Sequence, residues 1–116
     1  MGGVAEATKE NWAEIVAGGT VLVDVWGPQC APCVALTPHV EGVAEQRPDL
    51  KVVKLEAPKN RRLCIDLRVM GMPTFLLFRD GQEVARLSDP DLSPARLDAW
   101  LDETVPSPQT EATERR

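Results

Sequence analysis

Cysteine is scarce in this chain, with three residues in 116, an odd count. That density argues against an extracellular fold stapled by several disulfides. A composition of 43% hydrophobic and 27% charged residues can instead build one ordinary core. Positive charge is also in short supply: 13 Lys and Arg stand against 18 Asp and Glu, for a formal net charge of -5. No electrostatic footprint for nucleic acid or for an anionic membrane surface follows from that balance. Long apolar runs are missing, since none approaches the roughly 20 residues of a membrane span. The opening MGGVAEATKENWAEIV has no basic stretch followed by an uninterrupted apolar one. The expectation is a cytoplasmic monomer with one domain over residues 1–104 and a polar, frayed tail over residues 105–116, VPSPQTEATERR.

What the chain does contain is WGPQCAPC, Trp26 to Cys33, which places two of the three cysteines in a close pair with Pro32 between them. The pattern of elements around this pair is readable. Thr8 is positioned to cap a short helix carrying Trp12, Ile15 and Val16 at i, i+3 and i+4, and Gly18-Gly19 ends it. TVLVDVW, Thr20 to Trp26, is β-branched and apolar on both faces, as a central buried strand requires, apart from Asp24. Leu36, Val40, Val43 and Ala44 recur at helical spacing from about Pro32 onward, with Pro38 expected to kink that helix. KVVKLE predicts a second central strand, and residues 60–67 a short helix carrying Cys64. TFLLFR and QEVARL, separated by Asp80-Gly81, predict an antiparallel hairpin. Ser93-Pro94 opens a last helix with Leu97, Trp100 and Leu101 on its apolar stripe. The predicted order is helix, strand, helix, strand, helix, hairpin, helix, which implies a mixed sheet with helices on both faces.

The cysteine pair falls where a strand ends and a helix begins. Cys30 would then lie at the helix N-terminus, where unpaired N–H groups and the positive end of the dipole stabilise a thiolate. Cys33, one turn further, lies on the same side and can displace whatever becomes attached to Cys30, which is the geometry of disulfide exchange. A metal centre is the rival, because Cys30, Cys33, Cys64 and His39 make a Cys₃His set by count. The layout opposes it: there is no second close pair, and His39 follows Pro38 on a helix leading away from the thiols, which marks it as a solvated helix residue. Cys64, between Leu63 and Ile65, reads as a small buried hydrophobe with a regulatory thiol as the alternative.

VDVWGPQCAPC, then Pro38 in the following helix, then GMPTFLLFRDG, together resemble the thioredoxin family across residues 8–104. The resemblance implies an α/β, thioredoxin-like three-layer fold, a mixed central sheet with helices on both faces. It implies a thiol–disulfide oxidoreductase that reduces protein disulfides through a redox-active Cys30–Cys33 pair, with no cofactor and no metal. Cys30 is the expected nucleophile and Cys33 the resolving thiol; Trp26, Gln29, Ala31 and Pro32 form the active-site loop. Gly71, Met72 and Pro73 are expected to bind substrate, with a cis bond before Pro73 and the Met72 backbone pairing with the substrate chain like an added strand. Asp24, a carboxylate among apolar neighbours, should be buried and hence easily protonated, a proton acceptor for Cys33, with Lys54 matching the lysine that modulates it. Partners would be disulfide-containing proteins and an electron-donating reductase of unknown type. The chain departs from the family's usual pattern at Gln29, Ala31 and Val34, where thioredoxins carry Trp, Gly and Lys, and around Asp89-Pro90, where they carry a glycine. Two other function classes stay open at this point: a partner-binding adaptor of the same fold, and an oxidase or isomerase with a more oxidising pair.

Overall fold

The computed structural model describes residues 3–105, so the tail assigned to residues 105–116 lies outside the described residues apart from Val105. Strand β1 (Val4–Ala7) is followed by a one-turn helix α1 (Trp12–Ile15), strand β2 (Thr20–Trp26), the long helix α2 (Ala31–Gln46) and strand β3 (Leu50–Glu56). A 3₁₀ turn over Ala57–Lys59 leads to helix α3 (Arg61–Asp66), then come strands β4 (Thr74–Arg79) and β5 (Gln82–Ser88) and the closing helix α4 (Pro94–Thr104). The sheet order is β1-β3-β2-β4-β5. β1, β3 and β2 run parallel, and β4 and β5 are antiparallel to their neighbours, so the sheet is mixed.

Alternation along the strands sorts side chains to two faces. Leu22, Val52 and Phe75 meet Leu36 and Val40 of α2 and Leu97 of α4 on one face. Val21, Val23, Val53 and Leu76 meet Ile15 of α1 and Cys64 of α3 on the other. Each fully buried aliphatic side chain stabilises the fold by about 1.5–3 kcal/mol. Packing of that size is what allows α1 and α3 to exist, because helices of four and six residues do not persist alone.

The predicted elements are present, with one addition. β1 was not anticipated: its VAEA sequence buries only Ala7 and lacks a strand's β-branched alternation, so its place comes from pairing in register with Val52–Leu55 of β3. Thr8 and Asn11 bond reciprocally, the Thr8 N–H donating to Asn11 Oδ1 (2.7 Å) and the Asn11 N–H to Thr8 Oγ1 (3.3 Å), and the helix begins one residue later. Helix α2 continues through Pro38, whose missing N–H leaves the Val34 carbonyl without its helical donor. Asp80 and Gly81 both have positive φ, 51° and 89°, the pattern of the tight turn expected between β4 and β5. Ser93 Oγ accepts from the Arg96 N–H at 3.1 Å, capping α4. His39 differs from its expected solvated role: its Nε2 lies 2.7 Å from Asp98 Oδ1, tying α2 to α4 across the surface of that layer.

Candidate active site

β2 delivers the chain from the middle of the sheet to the start of α2, and the turn between them holds the cysteines. The Cys30 N–H donates to the Gly27 carbonyl at 3.1 Å, closing the turn, and the Cys30 carbonyl accepts from Val34 at 3.0 Å as the first helical bond. Cys30 is the N-cap of α2, in extended backbone geometry, and its Sγ accepts from the Cys33 N–H at 3.3 Å. A sulfur at that point faces the positive end of a 16-residue helix, where negative charge is stabilised. Cys30 and Cys33 are joined as a disulfide, with Cα atoms 5.3 Å apart. Their exposure is unequal: Cys30 is half-buried while Cys33 is 2% exposed. Gln29, Ala31, Pro32 and Val34 surround the pair as exposed residues.

Asp24 lies at the middle of β2, 2% exposed, on the same sheet face as Leu22 and therefore toward α2, which carries Cys33. Its Oδ2 is buried with no hydrogen-bond partner among the described residues. Burial pushes its carboxyl up from 3.8 to about 7, and the positive charge of Lys54 pulls in the opposite direction. Lys54 is the residue paired with Asp24 in the β2–β3 register, and its Nζ sits over the Trp26 ring, 4.0 Å from the centroid. Glu6 of β1 occupies the next position along the same row of the sheet. Trp26, Lys54, Glu6, Glu56 and Lys59 line a hollow of about 350 Å³ beside this row.

The segment before β4 completes the site. The Met72–Pro73 peptide is cis, Pro73 is buried and Gly71 is exposed. Met72 packs on the active-site turn: a Cβ placed on Gly27 would lie 3.4 Å from Met72 Cε and 3.5 Å from its Sδ. Gly27 and Met72 thus bring together two segments 45 residues apart in the chain. Among the described residues no group of three or more His, Cys, Asp or Glu side chains is placed to hold a metal ion. Cys64 is buried behind the sheet, and burial raises its thiol. The arrangement as a whole is a strand-to-helix turn bearing a disulfide between a half-buried and a buried cysteine, a buried carboxyl on the α2 side of the sheet, and a cis-proline segment alongside.

Comparison with known proteins agrees with this geometry. The thioredoxin family model matches residues 3–103. The chain is 36% identical to a thioredoxin of Chlamydia trachomatis over 83 residues, 72% of this chain and 81% of that one. It is 34% identical to a thioredoxin of Acetoanaerobium sticklandii over 99 residues, 83% and 94% of the two chains. Among solved structures, thioredoxin f2 of Chlamydomonas reinhardtii superposes with a TM-score of 0.82 at 24% identity, covering 90% of this chain and 99% of that one. A singly substituted thioredoxin of Halobacterium salinarum gives 0.76 at 28% identity, covering 85% and 88%. With its fold, its disulfide-bonded CxxC turn and these relatives in agreement, the chain belongs to the thioredoxin family and is a thiol–disulfide oxidoreductase.

Proposed function

We propose that the reduced protein donates electrons to disulfides of other proteins, with Cys30 as the attacking thiolate and Cys33 as the resolving thiol. Cys30 Sγ attacks one sulfur of a client disulfide, forming a mixed disulfide and releasing the other client sulfur as a thiolate. Cys33, once deprotonated, attacks Cys30 Sγ; the second client sulfur leaves, and the Cys30–Cys33 bond remains. Two electrons pass to the client and the enzyme pair is oxidised. The observation that carries this reading is the unequal exposure of the two cysteines, Cys30 half-buried at the helix N-cap and Cys33 2% exposed. This supports client attack at Cys30 and a resolving thiol that acts from within the protein at Cys33.

Asp24 receives the Cys33 proton in this scheme, which its burial on the α2 side of the sheet and its carboxyl near 7 both support. Lys54 tempers that carboxyl through its charge. The Gly71–Pro73 segment binds the client backbone, a reading supported by its contact with the active-site turn through Met72 and Gly27. An electron-donating reductase regenerates the dithiol in the cytoplasm, and no bound cofactor takes part.

The test is a pair of single variants in an insulin-reduction assay. Cys30→Ser should abolish exchange, and Cys33→Ser should accumulate a mixed disulfide that mass spectrometry assigns to Cys30. Full activity in both variants would overturn the scheme.

A further inference from the structure

The hairpin that closes the sheet carries one residue too many. Gln82 pairs with Arg79 and Glu83 with Phe78, but the next partners are Ala85 with Leu77 and Arg86 with Leu76, so Val84 is a β-bulge. In an uninterrupted strand, residues three apart point to opposite faces. The extra residue moves Glu83 and Arg86 to the same face, the one that packs against α3. There they form a fork: Arg86 Nε donates to Glu83 Oε2 at 2.6 Å and Nη2 to Oε1 at 2.8 Å.

The rest of the guanidinium faces the end of α3. Helix α3 closes with Arg68 in the left-handed region, φ 59°, the Arg68 N–H donating to the Ile65 carbonyl and the Val69 N–H to the Cys64 carbonyl, both at 3.0 Å. This is a Schellman closure in which an arginine stands where glycine is favoured. Arg86 Nη2 donates to the Leu67 carbonyl at 2.8 Å and Nη1 to the Arg68 carbonyl at 3.0 Å. Four of the five N–H groups of the guanidinium are therefore used. A second tie lies at the far end of the same segment, where Thr74 Oγ1 donates to the Gly71 carbonyl at 2.6 Å and lies 3.0 Å from Ser88 Oγ. Strand β5 thus grips residues 67–74 at both ends. Between the grips are Met70, 95% exposed, and the Gly71-Met72-Pro73 run that leans on the active-site turn.

We propose that Arg86 is a positioning residue for protein clients: by clamping the Leu67 and Arg68 carbonyls to β5, it holds the Val69–Pro73 segment in the shape that receives a client backbone. The inference rests on the reading of Gly71–Pro73 as the client-binding segment. Glu83 orients the guanidinium, and the Val84 bulge is what lets the two side chains meet. A small disulfide needs only Cys30 and is indifferent to the clamp, whereas a polypeptide needs the segment in place.

The experiment compares wild type, Arg86→Met, Arg86→Lys and Pro73→Ala as reductants of insulin and of oxidised glutathione, together with the reduction potential of the Cys30–Cys33 pair. Arg86→Met should raise KM for insulin about tenfold, a fraction of what two hydrogen bonds from a charged donor contribute when buried, because water replaces part of them at this exposed side chain. Its rate with oxidised glutathione and its potential should match wild type. Arg86→Lys, unable to fork, should lie between. Amide hydrogen exchange at residues 69–72 should quicken in Arg86→Met. An unchanged insulin KM with Pro73→Ala still impaired would overturn the clamp and leave the client-binding segment standing. Unchanged KM in both variants would overturn both. A fall in insulin and glutathione rates alike, with a shifted potential, would make Arg86 a general stabilising residue and overturn the proposal, as would unaltered exchange at residues 69–72.

Discussion

The ammonium of Lys54 rests on the ring of Trp26, 4.0 Å from its centroid, while the residue across the strand from Lys54 is the buried Asp24. No ion pair links Lys54 to a carboxylate within 4.0 Å among the described residues. The positive charge is therefore anchored by an aromatic face and acts on Asp24 through space, which lowers the carboxyl without forming a direct bond to it. Lys54→Met should push the Asp24 carboxyl higher still. Following the Asp24 side-chain carbon by NMR across a pH series checks this, and a downward shift would contradict it.

Asp24 should also set how stability varies with pH. In the folded protein its carboxyl keeps a proton up to about pH 7, and in the unfolded chain it loses it near 3.8. Between those values the folded state binds more protons than the unfolded one, so this group makes stability fall as pH rises from about 4 to about 7, with no further loss above. At about 1.4 kcal/mol per pH unit the full span is on the order of 4 kcal/mol. Asp24→Asn removes the ionisation, so its advantage over wild type should be small at about pH 4 and largest at about pH 8. Urea unfolding at the two pH values measures the difference; equal offsets at both would show that the carboxyl is not titrating as described.

The three thiols of the reduced protein should differ sharply in reactivity. Cys30 is half-buried at a helix N-cap, Cys33 is 2% exposed, and Cys64 is 7% exposed with its thiol raised by burial. Brief treatment with iodoacetamide near neutral pH should label Cys30 first and leave Cys64 unlabelled until denaturant is added. Peptide mass spectrometry reads the order, and early labelling of Cys64 would count against a buried, packing role for it.

Helix α4 depends on its cap. Ser93 Oγ accepts the Arg96 N–H at 3.1 Å, with Pro94 at the first helical position. Ser93→Ala should cost about 1 kcal/mol of global stability, since α4 supplies Leu97 and Leu101 to the core. A loss of under a few tenths of a kcal/mol in urea titration would mean that solvent replaces the cap.

Most of the architecture could be read from the sequence because it rests on local signals. The apolar run of β2, the 3.6-residue spacing in α2, the Asp80-Gly81 turn and the Ser93-Pro94 cap each name their own element. β1 gave no such signal, for a four-residue edge strand with Ala5 and Glu6 exposed is held by its neighbour and not by its own preference. The site divides in the same way. The cysteine turn and the apolar setting of Asp24 are contiguous in sequence and visible there. The packing of Met72 on Gly27, the bond between His39 and Asp98 and the grip of Arg86 on Leu67 and Arg68 join distant segments. Arg86 is also hidden by parity: until Val84 is known to be an extra residue, Glu83 and Arg86 read as facing opposite ways.

The burial of Cys33 limits occupancy as well as access. With Cys30 half-buried and Cys33 buried, the proposed exchange scheme gives the molecule a single berth for a foreign chain, and closing its own bond is what empties that berth. It cannot bridge two clients, and it cannot hand one client to another without first letting go. On that scheme the release of any client waits on the inner cysteine, which stands one helical turn from the outer one.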